Sequence, residues 1–486
     1  MSEKKKTEEK GITVKKEKNF NEWYTQAFQK ADLADYTLVS GCVVFKPYAH
    51  TIWDKIREET KKRLNKMDVG EAYFPLFIPE KLLEKEAEHV EGFSPEVAWV
   101  EKAGNTKLGE RLAVRPTSEA IMYDSYSKWI RSHRDLPLKM CQWNNVVRWE
   151  FKNPVPFLRS REFLWVEGHT VFADEKGALD EDKSIMDMWQ DICENYLALK
   201  GLRGKKSENE KFAGAVFTKS IEYRLPNGKI AQGPDFHYDG QNFAKAYSIK
   251  FIDEDEKEKF VFQNTWAIST RMLGVLIAVH GDDQGLILPP KIAPYQVVII
   301  PIIFDKHKKE LFKETDKLKQ KLEKKGFRVK TDKRENYKPG WKFNQWEMKG
   351  VPLRIELGPR ELEKKIVTVV RRDNGKKENV NIKNLGKKIK ELLDDIQKQL
   401  LKRSEEKLKN SIKEVKNIKE LENAVNKGKI GYAKWCNNVE CEENLKDKTT
   451  GIKSLNMPED KIGKAKGKCA FCDKEAKVYA YFGKTY

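Results

Sequence analysis

Residues 146–170 read VVRWEFKNPVPFLRSREFLWVEGHT. The run is apolar and aromatic enough to be buried, yet it carries Arg148, Glu150, Arg159, Arg161, Glu162, Glu167 and His169. Placed as two strands, VVRWEF (146–151) and FLWVEGH (163–169), its side chains alternate between faces. Arg148 and Glu150 then share a face of the first strand, and Phe163, Trp165, Glu167 and His169 share a face of the second. Residues 152–162 form the loop, where Pro154 and Pro156 cannot donate to a ladder. An antiparallel pair presents carboxylates, an arginine, a histidine and two aromatic rings on one surface. Unpaired buried charge is costly, so these groups answer to each other or to a ligand. Periodicity alone leaves an internal ion-pair network and a binding site equally open.

With 486 residues, the chain is too long for one core and predicts two to four domains. Lys and Arg number 94 against 75 Asp and Glu, a net charge of +19. That balance suits a polyanionic partner such as nucleic acid, or simply a lysine-rich composition. No apolar run is long enough to span a bilayer, and MSEKKKTEEK lacks the apolar core of a signal peptide. A cytoplasmic protein is expected.

Residues 1–18 are Lys/Glu-rich without apolar periodicity and read as a basic disordered tail. Residues 46–68 read as an amphipathic helix, 72–79 as a strand interrupted by Pro75, and 117–130 as a helix capped by Thr117 or Ser118. After Pro289-Pro290 the pattern changes. Strands at 295–302, 327–332, 351–357 and 366–372 alternate with helices at 307–326 and 341–350, which predicts a compact α/β domain at 295–385. From about Leu385 to Lys427 runs one long charged helical pattern, read as a solvated helix. Cys42, Cys141 and Cys193 are scattered. Cys436-x₄-Cys441 and Cys469-x₂-Cys472 offer four thiolates in two pairs, a ligand set for tetrahedral structural zinc, with free thiols as the alternative.

The arginine-rich run resembles motif 2 of the class II aminoacyl-tRNA synthetases: Arg148-x-Glu150, a loop, then Arg159-x-x-x-Phe163. The words AVRPTSEA (113–120), REFLWVEGHT (161–170), KFAG (211–214), GQNFAKA (240–246) and PGWKFNQWEMKGVPLRIELGPRE (339–361) are similar to the prolyl-tRNA synthetases. Several motifs in the right order are more specific than any one. The resemblance covers almost the whole chain after residue 20. It is to the archaeal and eukaryotic type, with a C-terminal zinc-type domain and without an editing insertion, since only about 100 residues separate motifs 2 and 3. It implies an α+β/α/β multidomain fold: an antiparallel-sheet catalytic domain (19–290), an α/β anticodon-binding domain (295–385) and a small α+β C-terminal domain (386–486).

The resemblance also implies an activity, in which proline and ATP give prolyl-adenylate and the prolyl group passes to the 3′ end of tRNA(Pro). Such chemistry brings anions together and asks for arginines, which grip carboxylate or phosphate with paired bonds. By resemblance, Arg148 and Arg271 are catalytic. Arg148 holds the α-phosphate and the proline carboxylate. Arg159 meets the outer phosphates, Glu150 the adenine amino group and Phe163 the adenine ring. Arg271, in NTWAISTRMLGVLIAVHGDDQG (264–285), covers the ring's other face and reaches the γ-phosphate, and Gln232 and Ser269 complete the nucleotide site. Trp165 and Phe212 wall the proline pocket. Thr117, Glu119, Glu167, His169 and His237 form its polar side, with His169 touching substrate or supporting a residue that does. Mg²⁺ is expected with ATP. Glu347 and Arg354 match the residues that read anticodon guanines, although Glu347 by itself reads as a solvated helix charge. Pro75 matches the motif 1 proline, which implies a homodimer; other synthetases are possible further partners. The C-terminal YAYFGKTY (479–486) is expected to fold back on the catalytic domain.

One departure stands out. In QGPDFHYDGQNF (232–243), Asp235 occupies the position where the family usually has threonine. Two rival readings remain: a synthetase for another small amino acid, and a non-catalytic tRNA-binding relative. The pocket residues oppose the first. Arg148, Glu150 and Arg271 oppose the second.

Overall fold

The computed structural model describes residues 11–89, 96–150, 153–303 and 305–486. Its centre is a seven-stranded sheet in the order Gly70–Glu71, Leu138–Val147, Glu162–Phe172, Phe262–Ser269, Ile230–Gly240, Phe217–Arg224, Leu202–Lys205. All neighbours are antiparallel except the first pair. The helices Glu175–Asp191 and Arg271–His280 cover one face, where Trp189, Trp266, Phe236, Ile268 and Met272 form a continuous core.

The other face is polar, and its register explains why. Met140, His169, Thr265, His237 and Thr218 lie side by side across five strands. The next row carries Gln142, Glu167, Ala267, Asp235 and Ser220. Side chains at every second position share a face, so each row adds its polar groups to one floor.

The second body is a five-stranded sheet ordered Val329–Thr331, Val297–Pro301, Leu353–Leu357, Ile366–Arg371, Lys377–Asn381. The first three strands are parallel and the rest antiparallel. The third contains the strands Ile412–Glu414, Ile430–Trp435, Val478–Gly483 and Lys453–Ser454. The chain's end does fold back: Tyr486 N donates to Ile230 O at 3.1 Å, and Asn456 Nδ2 to Leu202 O at 2.7 Å. Arg372 ties the second body to the first through both oxygens of Asp282, at 2.8 and 2.5 Å.

Several expectations need correction. The first motif strand is Leu138–Val147, so it ends before Arg148 and Glu150. Arg148 N still bonds to Arg161 O at 2.8 Å, but Trp149 N turns away to Glu96 O; Phe151 and Lys152 lie outside the described residues. Only Phe77–Pro79 of 72–79 is strand, because Phe74 N is taken by the Gln142 side chain (2.9 Å) and Pro75 has no donor. Ser118 sits at the cap position of the helix Glu119–Trp129 without a capping bond, its hydroxyl being spent on Glu167. The long charged pattern is not one solvated helix. It breaks into Leu385–Ser411, the strand Ile412–Glu414 and Ile418–Asn426, and the first helix buries Leu385, Ile389, Leu393, Ile396 and Leu400. Nor is the tail disordered to residue 18. Lys16 N donates to Asp283 Oδ1 (2.8 Å) and Thr13 N to Gln26 Oε1 (2.8 Å); residues 1–10 lie outside the described residues.

Candidate active site

The polar floor opens into a cavity of about 230 Å³ lined by Thr117, Glu119, Arg148, Trp165, Glu167, His169, Phe212, Gln232, Asp235 and His237, with Glu210, Lys211, Thr218 and Thr265 at its edges. Its centre is Glu167. Asn144 Nδ2 (2.7 Å) and Gln142 Nε2 (3.0 Å) donate to Oε1, as does the Ser118 hydroxyl. Ser118 N (3.1 Å) and His169 Nε2 (3.2 Å) reach Oε2. Tyr123 holds the other histidine nitrogen at 3.2 Å. Burial alone would push the Glu167 carboxyl up, but the bonds from His169, Ser118 and Asn144 outweigh it and hold the group low. Burial likewise works against a charged His169, and Glu167 and Glu119 overcome it, raising the imidazole above its ordinary value. Glu119 goes the other way: burial raises it, against the pull of His169. The Thr117 hydroxyl donates to Glu119. The floor thus sets a carboxyl held low and an imidazole held high side by side, next to Glu119, a carboxyl that burial pushes up.

Aromatic rings form the walls. Trp165 Nε1 is fixed by Asn144 Oδ1 (2.6 Å), and Phe212 lies 4.7 Å from the His237 ring. Gly168 is required: a Cβ there would stand 2.1 Å from the Trp266 indole. His237 Nδ1 faces Thr218 Oγ1 at 2.8 Å, and burial lowers its affinity for a proton.

Arg148 leans over the mouth. Its guanidinium lies 5.5 Å from the Phe163 ring and 5.4 Å from that of Trp165, and Nε is anchored on Pro116 O (3.0 Å). Arg271, the first residue of its helix, donates to Leu158 O (3.0 Å) and Gln232 O (3.1 Å), and its N–H is met by Ser269 Oγ at 3.3 Å. Burial, and then the field of Arg148, make Arg271 harder to protonate; Arg159 adds to that field. Guanidiniums close enough to feel one another's field favour an anion between them. Glu150 stands apart, exposed beyond the strand end. Asp235 points into the cavity, its carboxylate accepting from Gln232 Nε2 (2.9 Å) and Ala267 N (3.1 Å), with His237 Nε2 3.6 Å away.

On the second body, Glu347 and Arg354 are brought together, but into each other. Arg354 Nη1 meets Glu347 Oε1 at 2.5 Å, while Nε and Nη2 hold Glu356 at 3.0 and 2.8 Å. Glu347 is therefore neither a free solvated charge nor a ready acceptor. In the third body, Cys436 and Cys472 sulfurs stand 3.6 Å apart, Cys441 and Cys469 4.0 Å, and all four ligand atoms lie within 4.8 Å of one another. Four thiolates on a tetrahedral zinc stand about 3.8 Å apart, so the set fits that ion. Cys469 is drawn down to about 5 by the hydrogen bond from Cys441, against its burial, which favours a thiolate there.

Residues 99–280 match the family model described as the tRNA synthetase class II core domain (G, H, P, S and T), and residues 296–392 the anticodon binding domain. Residues 418–486 match the prolyl-tRNA synthetase C-terminal model. The chain is 47% identical over 483 residues to the cytoplasmic proline–tRNA ligase of Arabidopsis thaliana, covering 98% of this chain and 91% of the relative.

The chain belongs to the prolyl-tRNA synthetase family.

A proline–tRNA ligase of Natranaerobius thermophilus is 46% identical over 465 residues, 95% of each chain. The crystal structure of prolyl-tRNA synthetase from Cryptosporidium parvum, complexed with halofuginone and AMPPNP, superposes with a TM-score of 0.94 at 46% identity, covering 98% of this chain and 99% of that one. A prolyl-tRNA synthetase with this cavity carries residues that motif reading overlooked. Gln142, Asn144 and Ser118 hold Glu167, and Tyr123 holds His169. Their signal was available: Gln142 and Asn144 alternate in LKMCQWNN, an apolar strand with polar groups at one face. Arg115, buried beneath the mouth, spans Phe74 O (2.9 Å) and Asn145 O (2.8 Å).

Proposed function

We propose that this chain is a proline–tRNA ligase in which Arg148 and Arg271 bear the charge of the activation step. The observation that carries the reading is Arg148 on the wall of a cavity that Glu119, Glu167 and His169 also line, with Arg271 bonded to the carbonyl of Gln232, another lining residue (3.1 Å). Arg148 holds the α-phosphate and proline carboxylate in line for attack, Arg271 reaches the γ-phosphate, and their preorganisation lowers the cost of the transition-state charge. Arg159 meets the outer phosphates. Phe163 and Arg271 sandwich the adenine, Glu150 accepts from its amino group, and Gln232 and Ser269 line the nucleotide's path. Proline sits between Trp165 and Phe212, its ring nitrogen toward Thr117, Glu119, Glu167 and His169, with His237 closing the side. Mg²⁺ accompanies ATP and supplies charge neutralisation on the phosphates.

For the tRNA, Glu347 and Arg354 exchange their mutual pair for the Watson–Crick and Hoogsteen edges of anticodon guanines. Cys436, Cys441, Cys469 and Cys472 hold a structural zinc; metal analysis of the purified chain is expected to give one zinc per chain, falling with Cys469→Ser. The enzyme works as a cytoplasmic homodimer through the surface around Pro75, where Tyr73, Phe77 and Trp129 are 72%, 44% and 50% exposed. Sedimentation at micromolar concentration tests this, and a monomer would overturn it. The chain is of the archaeal and eukaryotic type without an editing insertion, so mischarged alanyl-tRNA is cleared by another protein; hydrolysis of alanyl-tRNA(Pro) by this chain would refute that.

The experiment for the main reading is amino-acid-dependent ATP–pyrophosphate exchange with all twenty amino acids. Exchange with proline, lost in Arg148→Ala, is expected. Exchange with another amino acid only would reassign the pocket.

A further inference from the structure

At the far end of the helix Arg271–His280, away from the catalytic cavity, lies a second cavity of about 620 Å³. Three remote parts of the chain wall it: residues 15–17, the strand end at Tyr223–Arg224, and the helix Leu385–Ser411 through Lys407. Its charges are unbalanced. Asp282 is clamped by Arg372, Asp283 accepts from the Lys16 backbone, and Lys200 is paired with Glu194 at 2.7 Å. Of the charges that remain, the cations Lys15, Lys16, Arg224 and Lys407 outnumber the carboxylates Glu17 and Asp283, and three of them donate to main-chain carbonyls: Lys16 to Gly281 O at 2.6 Å, Arg224 to Gly428 O at 2.7 Å and Lys407 to Val279 O at 3.4 Å. A carbonyl satisfies a donor but does not neutralise its charge. The Lys16 amine is lowered to about 7, first by burial and then by Lys407, against the pull of Asp282, Asp283 and Glu17.

Capping of the helix C-terminus accounts for where Lys16 and Lys407 point, since cations are favoured there. It does not account for Arg224, which bonds elsewhere, or for the space between the three. We propose that this cavity binds a small, multiply charged phosphate compound, gripped by Lys16, Arg224 and Lys407. A guanidinium fork and two ammoniums around a volume of this size suit phosphate oxygens and a metabolite-sized body. The bound anion ties the N-terminal segment and the helix Leu385–Ser411 to the helix whose first residue is Arg271. The proposal stands independently of the catalytic reading, because it shares no residue with that cavity.

The probe is inorganic tripolyphosphate, titrated by calorimetry into the full chain saturated with proline and a non-hydrolysable ATP analogue. One further site with Kd below about 1 mM is expected, as for a few charge-assisted contacts. The Lys16→Gln/Lys407→Gln double variant is expected to weaken it at least about tenfold, and Lys62→Gln, on an exposed helix face, to leave it unchanged. No binding to the wild type, or equal binding to the double variant, overturns the proposal and leaves the two lysines as helix caps. If the double variant melts early, brief acetylation of the wild type with and without tripolyphosphate decides the matter by mass spectrometry. Protection of Lys16 and Lys407 but not Lys62 supports the site, and equal labelling of all three refutes it.

Discussion

Glu167 and Glu347 are both carboxylates placed to meet a ligand, and their surroundings could hardly differ more. Glu167 is fully enclosed and takes bonds from Ser118, Gln142, Asn144 and His169, so it is held still before any substrate arrives. Glu347 is part-exposed and has Arg354, which itself keeps Glu356. The first site spends its stability on a fixed pocket for a small molecule. The second stores its recognition groups as an ion pair that a nucleobase has to break. A rigid floor suits a rigid imino acid, whereas a self-paired face avoids leaving unpaired charge on a surface that waits for tRNA.

The largest expected effect breaks the first half of that contrast. Glu167→Ala strands several buried donors, His169 Nε2 among them, and should destabilise the chain by about 3–5 kcal/mol. A denaturant melt measures this, and proline-dependent pyrophosphate exchange should vanish with it. A loss below about 1 kcal/mol would mean that the network is not the frame of the pocket.

Glu347→Ala tests the second half. Arg354 retains Glu356, so stability should change by less than about 1 kcal/mol. Aminoacylation of tRNA(Pro) should nevertheless fall about 10- to 100-fold in kcat/KM, the scale of one lost base contact, with pyrophosphate exchange untouched. Equal loss in both assays would show that the pair is structural.

Much of this contrast was legible beforehand and part was not. Alternation in FLWVEGH put Trp165, Glu167 and His169 on one face, and the register bears that out, because a one-residue slip would have turned Glu167 into the apolar core. The cysteine pairs converged as their spacing suggested. Arg148 was misplaced within a strand, since nothing local announces that the ladder stops at Val147. The mutual pairing of Glu347 and Arg354 joins a helix to a strand, and local pattern carries no such partner information. The helix after 385 looked solvated because its lysines outnumber the leucines that form its buried stripe. Asp235 was visible only as an anomaly; its bonds to Gln232 and Ala267 come from the fold.

Asp235 sharpens the comparison from within the rigid site. It places a fixed carboxylate where its field partly offsets the charge of Arg271. Asp235→Thr removes that offset while keeping an oxygen near Ala267 N. KM for ATP in the exchange assay should fall several-fold, about 1 kcal/mol, with melting little changed. A rise in KM would mean that Asp235 supports the nucleotide rather than opposing it.

The smallest effect is one of pH. His169 has a folded value raised above 6.5, so the stabilisation it draws from Glu167 and Glu119 is complete below about 6.5 and is lost as pH rises through the raised value. Glu167 has a folded value below 4.5, so its share is complete above about 4.5 and is lost as pH falls through the lowered value. Between those limits the floor keeps its full charge pair. KM for proline should therefore be flat from about pH 5 to 6.5 and climb a few-fold above it as His169 releases its proton. In His169→Asn that climb should disappear. Among the described residues, none of those lining the Glu347–Arg354 site is a histidine, so KM for tRNA should show no matching step over the same range. A step in the tRNA term that survives His169→Asn would place a titrating group on the anticodon side, and the division between a fixed pocket and a self-paired face would have to be redrawn.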